Sequence, residues 1–349
     1  MTDHLPMPSR SPVLSVRIAA TGVSTPERVI TSTALDDQYG RAAGTTQARS
    51  GVVARRWVAP GVTTSAQAAA AVRSALDRAG WDVTELDALV VTSAVPEQPM
   101  PTTAVLTLGA LGIGGGAVEA VDVNMACLGF LKGLQVAAQH IALGSWRRVA
   151  VVSSELASRG LNHADIESSA LFGDGAGAAV LEATPREGPV GEATFASALV
   201  ATRFATYPQG AHLCEIAAGG TRRNVFDPPA DDTDYLFRMN GPGVMKLAMR
   251  HLPPFLDRVL DEAGVARADL SLVVPHQASG LGLRYLREKL GFPPGQVVDI
   301  LATHGNQVSA SIPTALDAAI ASGRLHRGDL VLLLGTGAGL TLGAVLLRY

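Results

Sequence analysis

The 349-residue sequence has little of what marks several common protein classes. It has only two cysteines, Cys127 and Cys214, too few for a disulfide framework and suited to a reducing compartment such as the cytoplasm. The formal net charge of −3 argues against a nucleic-acid-binding surface, and no apolar run approaches the length of a membrane span. With 47% hydrophobic and 17% charged residues, the composition predicts a globular cytoplasmic protein that binds neither nucleic acid nor membrane. Residues 1–12 lack the apolar core of a signal peptide and are predicted to form a flexible tail.

Several signatures of catalytic and nucleotide-binding sites are also missing. The sequence has no P-loop, no HExxH zinc motif, no metal-spaced Cys/His cluster and no GxSxG nucleophile elbow. The run GDGAGA at 173–178 resembles a dinucleotide-binding loop, but the residues that follow it predict a strand rather than a helix. The sequence therefore predicts neither a metal site nor a nicotinamide site.

What the sequence does contain is an internal repeat. Residues 172–181 and 335–347 both carry a G-x-G-A-G run that leads into an apolar stretch. Upstream of these runs, residues 84–94 resemble residues 268–278 around a shared Leu-Val-Val. Between the paired segments, each half has a small-residue segment, then an apolar helix that ends in glycine, then a strand. Three matches in the same order predict two similar halves.

Strands alternate with amphipathic helices, which predicts α/β halves, 13–185 and 186–349, with parallel or mixed sheets covered by helices. We expect strands at 16–20, 88–92, 117–123, 149–153, 196–202, 270–274, 297–301 and 330–334. The helix after Cys127 should bury an apolar stripe formed by Leu128, Leu131, Leu134, Ala138 and Ile141. Residues 202–243 have no counterpart in the first half and are predicted to be an insertion near the substrate opening.

Cys127 is the first candidate for catalysis. It follows an apolar strand and opens a helix, whose unpaired N–H groups and positive dipole would favour a thiolate. The alternative interpretation is a small residue buried in close packing. Cys214 has no comparable context and is predicted to be structural or incidental.

A histidine and an asparagine in the second half are further candidates. His276 follows the apolar run LSLVVP, and catalytic groups often collect at the carboxyl ends of strands in α/β sheets. Asn306 lies in THGNQVSASIP, where a turn or a helix cap would also explain it. His304 is a rival imidazole, and position alone does not choose between the two. Backbone amides near Ala338 could supply an oxyanion hole.

Taken together, these motifs resemble a known family. NMACLGF, VVPHQAS, HGNQVSASIP and GTGAGLTLG resemble, in that order, the nucleophile, histidine, asparagine and glycine-loop motifs of β-ketoacyl-[acyl-carrier-protein] synthase III enzymes. FGDGAGAAVL matches the same family, and the resemblance extends over residues 16–349. It implies an α/β, thiolase-like five-layered αβαβα fold built from two similar halves, usually as a homodimer.

The resemblance also implies a reaction. Cys127 would attack an acyl thioester, carried by CoA or by an acyl carrier protein, and hold the acyl group. His276 and Asn306 would hydrogen-bond the carbonyl of a second, malonyl-type thioester while it loses carbon dioxide. The N–H groups of Cys127 and Ala338 would stabilise the oxyanion. The family needs no cofactor, because the thioester and the decarboxylation supply the driving force.

Some positions depart from the family pattern. Arg49 matches a family arginine near the CoA phosphates, but Thr45 and Ile166 stand where a tryptophan and an arginine sandwich the adenine. Gln307 and Val308 replace two residues of the asparagine motif and are expected to alter the substrate-binding wall. These changes favour a secondary-metabolite or specialised fatty-acid pathway over a housekeeping role.

Met100 and two alternative functions complete the predictions. Met100 takes the place of a family phenylalanine that reaches across the dimer and ends the partner's acyl tunnel, or it fills an irregular gap in the dimer core. The alternative activity is transfer of the acyl group from Cys127 to a hydroxyl or amine. The alternative without catalysis is a partner subunit, which the joint presence of Cys127, His276 and Asn306 argues against.

Overall fold

The computed structural model describes residues 12–184 and 196–349, which form a mixed α/β structure. Its strands are β1 (Val16–Ser24), β2 (Arg28–Thr31), β3 (Ala54–Trp57), β4 (Ala88–Val91), β5 (Glu119–Asp122), β6 (Arg148–Glu155), β7 (Gly175–Ala183), β8 (Ala198–Gly210), β9 (Cys214–Glu215), β10 (Arg238–Met239), β11 (Leu272–Pro275), β12 (Leu330–Gly337) and β13 (Gly339–Arg348). Its α-helices are α1 (Ser32–Gln38), α2 (Thr45–Ser50), α3 (Thr64–Ala79), α4 (Thr103–Leu111), α5 (Gly129–Ala142), α6 (Ile166–Ser169), α7 (Gly241–Ala263), α8 (Gly280–Glu288), α9 (Leu301–His304) and α10 (Ser311–Ala321). Within these two described stretches, no helix combines the length and apolar character needed to cross a bilayer.

Two sheets repeat the same plan. The first has the order β1-β7-β6-β4-β5, and the second has the order β8-β13-β12-β11. In each sheet two antiparallel pairings are followed by a parallel one: β7 pairs with β1 and β6, and β4 runs parallel to β6, just as β13 pairs with β8 and β12, and β11 runs parallel to β12. The predicted similarity of the two halves is therefore confirmed. Residues 1–11 of the predicted tail, and the predicted boundary between residues 185 and 186, lie outside the described residues.

Helices cover both faces of both sheets. On β4, Val90 points into a central core that also contains α5 and α10, whereas Leu89 points into an outer core with α3. On β12, Leu333 faces the same central core and Leu332 faces another outer core, which contains α7 and α8. Strands buried on both faces explain the continuous apolar runs of the sequence. The resulting layer order is helix, sheet, helix pair, sheet, helix, so the predicted five-layered αβαβα fold is confirmed.

One predicted strand, at 297–301, is wrong. Only Val297 forms a bridge there, to Val273 of β11, and the chain then turns into α9. The reason lies in the hydrogen bonds of the backbone: the Ile300 N–H donates to the side-chain oxygen of Gln277 at 2.9 Å, so a side chain takes the place of a strand partner. The other predicted strands are confirmed.

The predictions for the helix after Cys127 and for the insertion at 202–243 can be compared with the structure. The predicted apolar stripe is buried in the central core: Leu128, Leu131, Leu134, Ala138 and Ile141. The segment predicted as an insertion at 202–243 begins inside β8, which continues to Gly210. After β8 the chain forms the short hairpin pair β9 and β10, which the extra length of this segment allows.

Candidate active site

A cavity of about 940 Å³ lies where several strands of the two sheets end. We call it the inner cavity. Its walls include the ends of β6, β11 and β12 and the segment after β4, and Cys127, His276 and Asn306 all line it. The carboxyl ends of strands are the usual place for functional groups in α/β folds. The structure therefore brings together three side chains that are up to 179 positions apart in the sequence.

Cys127 lies in a tight turn just before α5. Ala126 has a φ of 47°, an uncommon conformation for a residue with a side chain, and its N–H is held by the Asn124 side chain at 2.9 Å. The backbone N–H groups of Ala338 and of Cys127 itself act on the Cys127 sulfur, and both lower the pKa of the thiol. Two amides from different segments thus converge on one atom.

Burial works against the thiolate expected at Cys127. Cys127 is partly exposed to the cavity, yet desolvation by the surrounding walls raises the pKa of its thiol to about 12. Cys214 and the carboxyl group of Glu155 raise this pKa further. Helix α5 begins only at Gly129, two residues beyond the cysteine, so its dipole acts on a thiol that desolvation keeps protonated.

His276 directly follows β11 and extends its pairing with β12. Its backbone N–H donates to the carbonyl of Leu334 at 2.8 Å, and its side chain is only 6% exposed. Burial lowers the pKa of the imidazole to about 4, so the ring is neutral near pH 7 and can donate one N–H. Its Nδ1 has no hydrogen-bond partner within residues 12–184 and 196–349. A Cβ added at Gly335 would lie 2.9 Å from the Cβ of His276, so this glycine is needed for the close approach.

Asn306 is fixed by main-chain groups of two neighbouring segments. Its backbone N–H donates to the carbonyl of Leu171 at 2.9 Å, and its carbonyl accepts from the N–H of Gly173 at 3.0 Å. Its side-chain oxygen accepts from the N–H of Val308 at 2.8 Å, and its Nδ2 donates to the carbonyl of Ala278 at 3.4 Å. These two contacts hold the side-chain amide at the wall of the inner cavity.

The first glycine run serves this turn and not a nucleotide. A Cβ at Gly173 would lie 2.1 Å from the carbonyl oxygen of His304, and one at Gly175 would lie 2.2 Å from the Gln307 side chain. These contacts are too short for any side chain, so the glycines allow the Asn306 turn to pack against β7, which is the strand predicted after the run. His304 lines neither cavity, and its ring hydrogen-bonds to Thr303 at 2.9 Å. Of the two rival imidazoles, His276 is the one that lines the inner cavity together with Cys127.

A second cavity of about 520 Å³, the outer cavity, adjoins the inner one. The two share five lining residues: Leu171, Met239, Gly241, Met245 and Ser279. Arg49 lines the outer cavity and forms an ion pair with Glu167, and its contact with CoA phosphates stays a prediction. The two cavities therefore have part of one wall in common.

The chain is similar to proteins of one known family. Residues 121–199 match the family described as 3-oxoacyl-[acyl-carrier-protein (ACP)] synthase III, and residues 260–349 match its C-terminal counterpart. The chain is 38% identical over 328 residues to β-ketoacyl-[acyl-carrier-protein] synthase III 3 of Streptomyces coelicolor, covering 94% of this chain and 95% of that protein. The chain belongs to the β-ketoacyl-[acyl-carrier-protein] synthase III family.

Solved synthase III structures share the fold. The 3-oxoacyl-[acyl-carrier-protein] synthase III of Aquifex aeolicus superposes with a TM-score of 0.83 at 34% identity, covering 96% of this chain and all 100% of that one. The priming β-ketosynthase from the R1128 polyketide biosynthetic pathway gives a TM-score of 0.83 at 29% identity, over 99% of this chain and 98% of its own. Synthase III proteins are condensing enzymes, and the predicted thiolase-like architecture is confirmed.

One predicted substrate contact of this synthase III chain, Gln307, needs correction. Its side chain is 1% exposed, lines neither cavity and donates to the carbonyl of Asp174 at 3.0 Å. The neighbouring Val308 lines the inner cavity instead. The reason is the backbone: Val308 has a φ of 51°, which turns the two side chains away from the directions that an extended segment would give them.

Met100 is 84% exposed and does not line the inner cavity of its own chain. The residues just before it do: the wall includes Val95 and Pro99. Its contact with a partner's acyl tunnel stays a prediction.

Two residues of the synthase III site were missed from the sequence. Cys214, on β9, lines the inner cavity that Cys127 also lines. Glu155 ends β6, is 3% exposed and also lines the cavity. Its position at the carboxyl end of a strand was a usable signal, whereas nothing local pointed to Cys214. Among the described residues, no group of three or more His, Cys, Asp or Glu side chains is arranged to hold a metal ion.

Proposed function

We propose that this chain is an acyltransferase that forms an acyl-Cys127 intermediate and then condenses it, with decarboxylation, with a malonyl-type thioester to a β-ketoacyl product. The observation that carries the proposal is that Cys127, His276, Asn306 and the backbone of Ala338 all line the inner cavity. An oxyanion that forms on a carbonyl attacked by the Cys127 sulfur would accept from the backbone N–H groups of Cys127 and Ala338. Oxyanion-hole donors of this kind are a major source of rate enhancement in acyl transfer.

In the first step the Cys127 sulfur attacks the carbonyl carbon of an acyl thioester. A tetrahedral oxyanion forms, and the amides of Cys127 and Ala338 stabilise it. The carbon–sulfur bond to the donor then breaks, and the departing thiolate takes the proton that Cys127 gives up. Because the Cys127 thiol is protonated in the free protein, this proton is present where the leaving group needs it.

In the second step the malonyl-type thioester loses carbon dioxide. The electron pair of the broken carbon–carbon bond moves onto the thioester carbonyl, where the N–H groups of His276 and Asn306 stabilise the enolate. A neutral His276 suits this role, because it donates a hydrogen bond without giving its proton away. The enolate carbon attacks the acyl-Cys127 carbonyl, the bond from that carbon to the Cys127 sulfur breaks, and the sulfur takes a proton from solvent.

The remaining features of the proposal concern the donor and the assembly. The donor is a CoA or carrier-protein thioester, Arg49 contacts its phosphate, and no cofactor takes part. The enzyme acts in the cytoplasm as a homodimer, in which the exposed Met100 ends the partner's acyl tunnel. Similarity to a polyketide-priming ketosynthase supports a specialised pathway.

The proposal is tested by two measurements on the purified protein. Intact-protein mass after incubation with a panel of acyl-CoA and acyl-carrier-protein thioesters should show one added acyl group. Malonyl thioesters added to this acyl-enzyme should then release carbon dioxide in step with the β-ketoacyl product. Transfer to a hydroxyl or amine acceptor without carbon dioxide would favour the alternative activity, and no acylation by any donor would favour a partner subunit without catalysis.

A further inference from the structure

Two strained turns lie at the candidate active site. Within the two described stretches of the chain, only two residues other than glycine have a positive φ: Ala126 at 47° and Val308 at 51°. Ala126 directly precedes Cys127, and Val308 follows Asn306 by two positions. This conformation is unfavourable for a residue with a side chain, most of all for a β-branched one, so it persists only where the surroundings hold it. We therefore looked for the groups that hold the two turns.

Each turn is held first by an asparagine of its own. In the first turn, the side-chain oxygen of Asn124 accepts from the N–H of Ala126 at 2.9 Å. In the second, the side-chain oxygen of Asn306 accepts from the N–H of Val308 at 2.8 Å. In both cases the asparagine stands two positions before the residue with the positive φ, which is the usual place for such a contact. These local contacts fix the shape of each turn but not the distance between the two turns.

Glu155 joins the two turns. On one side, its Oε1 accepts from the N–H of Ala94 at 2.6 Å, and the carbonyl of Ala94 accepts from Nδ2 of Asn124 at 2.8 Å. On the other side, the same Oε1 accepts from the hydroxyl of Ser309, the residue that follows Val308. One carboxyl oxygen thus connects a turn in the first half of the chain with a turn in the second half.

The position of Glu155 is itself fixed. Glu155 ends β6, where its backbone pairs with Gly175 of β7. The side chains of Glu155 and Ser309 are both buried, so water competes little for the hydrogen bond between them. A buried polar group is costly to leave without its partner, which keeps such a contact closed. The carboxyl oxygen can therefore set the distance between the two turns.

We infer that Glu155 is a positioning residue that holds the Cys127 turn and the Asn306 turn at the separation that condensation needs. The inference rests on the proposed function, in which Cys127 carries the acyl group and Asn306 binds the enolate. The two reacting carbons are then held by different turns, so the condensation step depends on the distance between the turns. Acylation takes place at the Cys127 turn and depends less on this distance. A misplacement of about 1 Å can lower the rate of a reaction by about 10²-fold.

The experiment measures the two steps separately in the purified protein. Acylation is followed by intact mass, and condensation is followed by carbon dioxide release after malonyl-CoA or malonyl carrier protein is added to the preformed acyl-enzyme. Ser309→Ala removes the link between Glu155 and the Asn306 turn, so condensation should slow about tenfold and acylation by less than about twofold. The matched control is Ser154→Ala, which loses a buried hydroxyl contact with a main-chain carbonyl outside both turns. In this control the ratio of the two rates should equal that of the wild type.

Two substitutions of Glu155 test the link itself. Glu155→Gln keeps an oxygen that can accept both hydrogen bonds, so both rates should stay within about threefold of the wild type. Glu155→Met has a similar size but no such acceptor, so both rates should fall, condensation by about tenfold more than acylation. A loss that methionine causes and glutamine does not is the result expected of a positioning residue. Equal losses in the two variants would contradict the inference.

The outcomes separate this inference from the proposed function. If Ser309→Ala keeps the wild-type ratio of the two rates, the positioning role is overturned, whereas acylation and condensation remain in place. A wild-type protein that is not acylated, or that releases no carbon dioxide after acylation, overturns the proposed function. Ser309→Ala decides the positioning role alone if Glu155→Met does not fold.

Discussion

The two glycine-rich runs of the repeat look alike in the sequence but pack against different parts of the candidate active site. The first, at 173–177, leads into β7 and packs against the turn that carries Asn306. The second, at 335–339, links β12 to β13, lies against His276 and brings the Ala338 amide to the Cys127 sulfur. One run therefore supports the position of a functional side chain, and the other takes part in the site itself. The repeat conserves the shape of the two halves while the chemistry is divided between them.

The largest expected effect tests whether the sulfur beside the second run is the acyl acceptor. Cys127→Ala should gain no acyl mass with any thioester, because the variant lacks the sulfur that lines the inner cavity beside Ala338. Cys214→Ala is the matched control: it removes the other thiol of the inner cavity and should still be acylated. Full acylation of the Cys127 variant would refute the nucleophile assignment.

The next largest effect is expected from replacing His276 and Asn306, the side chains that pack beside the two glycine-rich runs. His276→Ala and Asn306→Ala should each lower β-ketoacyl formation by on the order of 10²–10³, and should lower acylation of Cys127 much less. The two steps are followed separately by product formation and by intact mass. His304→Ala, which removes an imidazole outside both cavities, should have a milder effect. Unchanged turnover in both site variants would contradict the assignment.

A smaller effect is expected from a substitution in the first glycine-rich run, at 173–177, which packs against the Asn306 turn. Gly173→Ala would push a Cβ against the carbonyl of His304, so the backbone must move, and we expect the free energy of unfolding to fall by about 1–3 kcal/mol. Gly109→Ala in α4 has no atom within 4 Å of the added Cβ and should be neutral or stabilising by up to about 1 kcal/mol. Denaturant unfolding of both variants measures the difference. Equal stabilities would show that the Asn306 turn does not depend on the first run.

The architecture was predictable from the sequence because the apolar pattern of each strand and helix is local. The stripe that begins at Leu128 is one example. Gln307 was not predictable, because its direction depends on the positive φ of Val308 and on the space left by Gly175, both set by the packed structure. The position of Cys214 was not predictable either, because it depends on the pairing of β9 with β10 across a long connection. This pairing places Cys214 in the wall of the inner cavity.

The smallest effect concerns Glu155, which links the two halves at the site. Its Oε1 accepts from the Ala94 N–H at 2.6 Å and from the hydroxyl of Ser309, three residues after Asn306. Burial raises the pKa of this carboxyl to about 7, so it becomes charged as the pH rises from 6 to 8 and then opposes ionisation of Cys127. Glu155→Gln keeps most of the hydrogen bonds without the charge. In this variant, the rate at which iodoacetamide alkylates Cys127 should be severalfold higher than in the wild-type protein at pH 8. At pH 6 the two rates should differ little.

The control for this measurement is Cys214→Ala in both backgrounds, so that only one cavity thiol is alkylated. A ratio of rates that does not change between pH 6 and pH 8 would show that the Glu155 charge does not reach the thiol.

The high pKa of the Cys127 thiol also bears on durability and inhibition. Oxidants such as peroxides and general electrophiles react with thiolates, so a cysteine held protonated by its surroundings resists both between catalytic cycles. Compounds that depend on a reactive sulfur should therefore act slowly on this protein. Compounds with a carbonyl that reaches the Ala338 amide would act faster. When the Cys127 sulfur attacks such a carbonyl, negative charge forms on its oxygen, and this amide stabilises that charge.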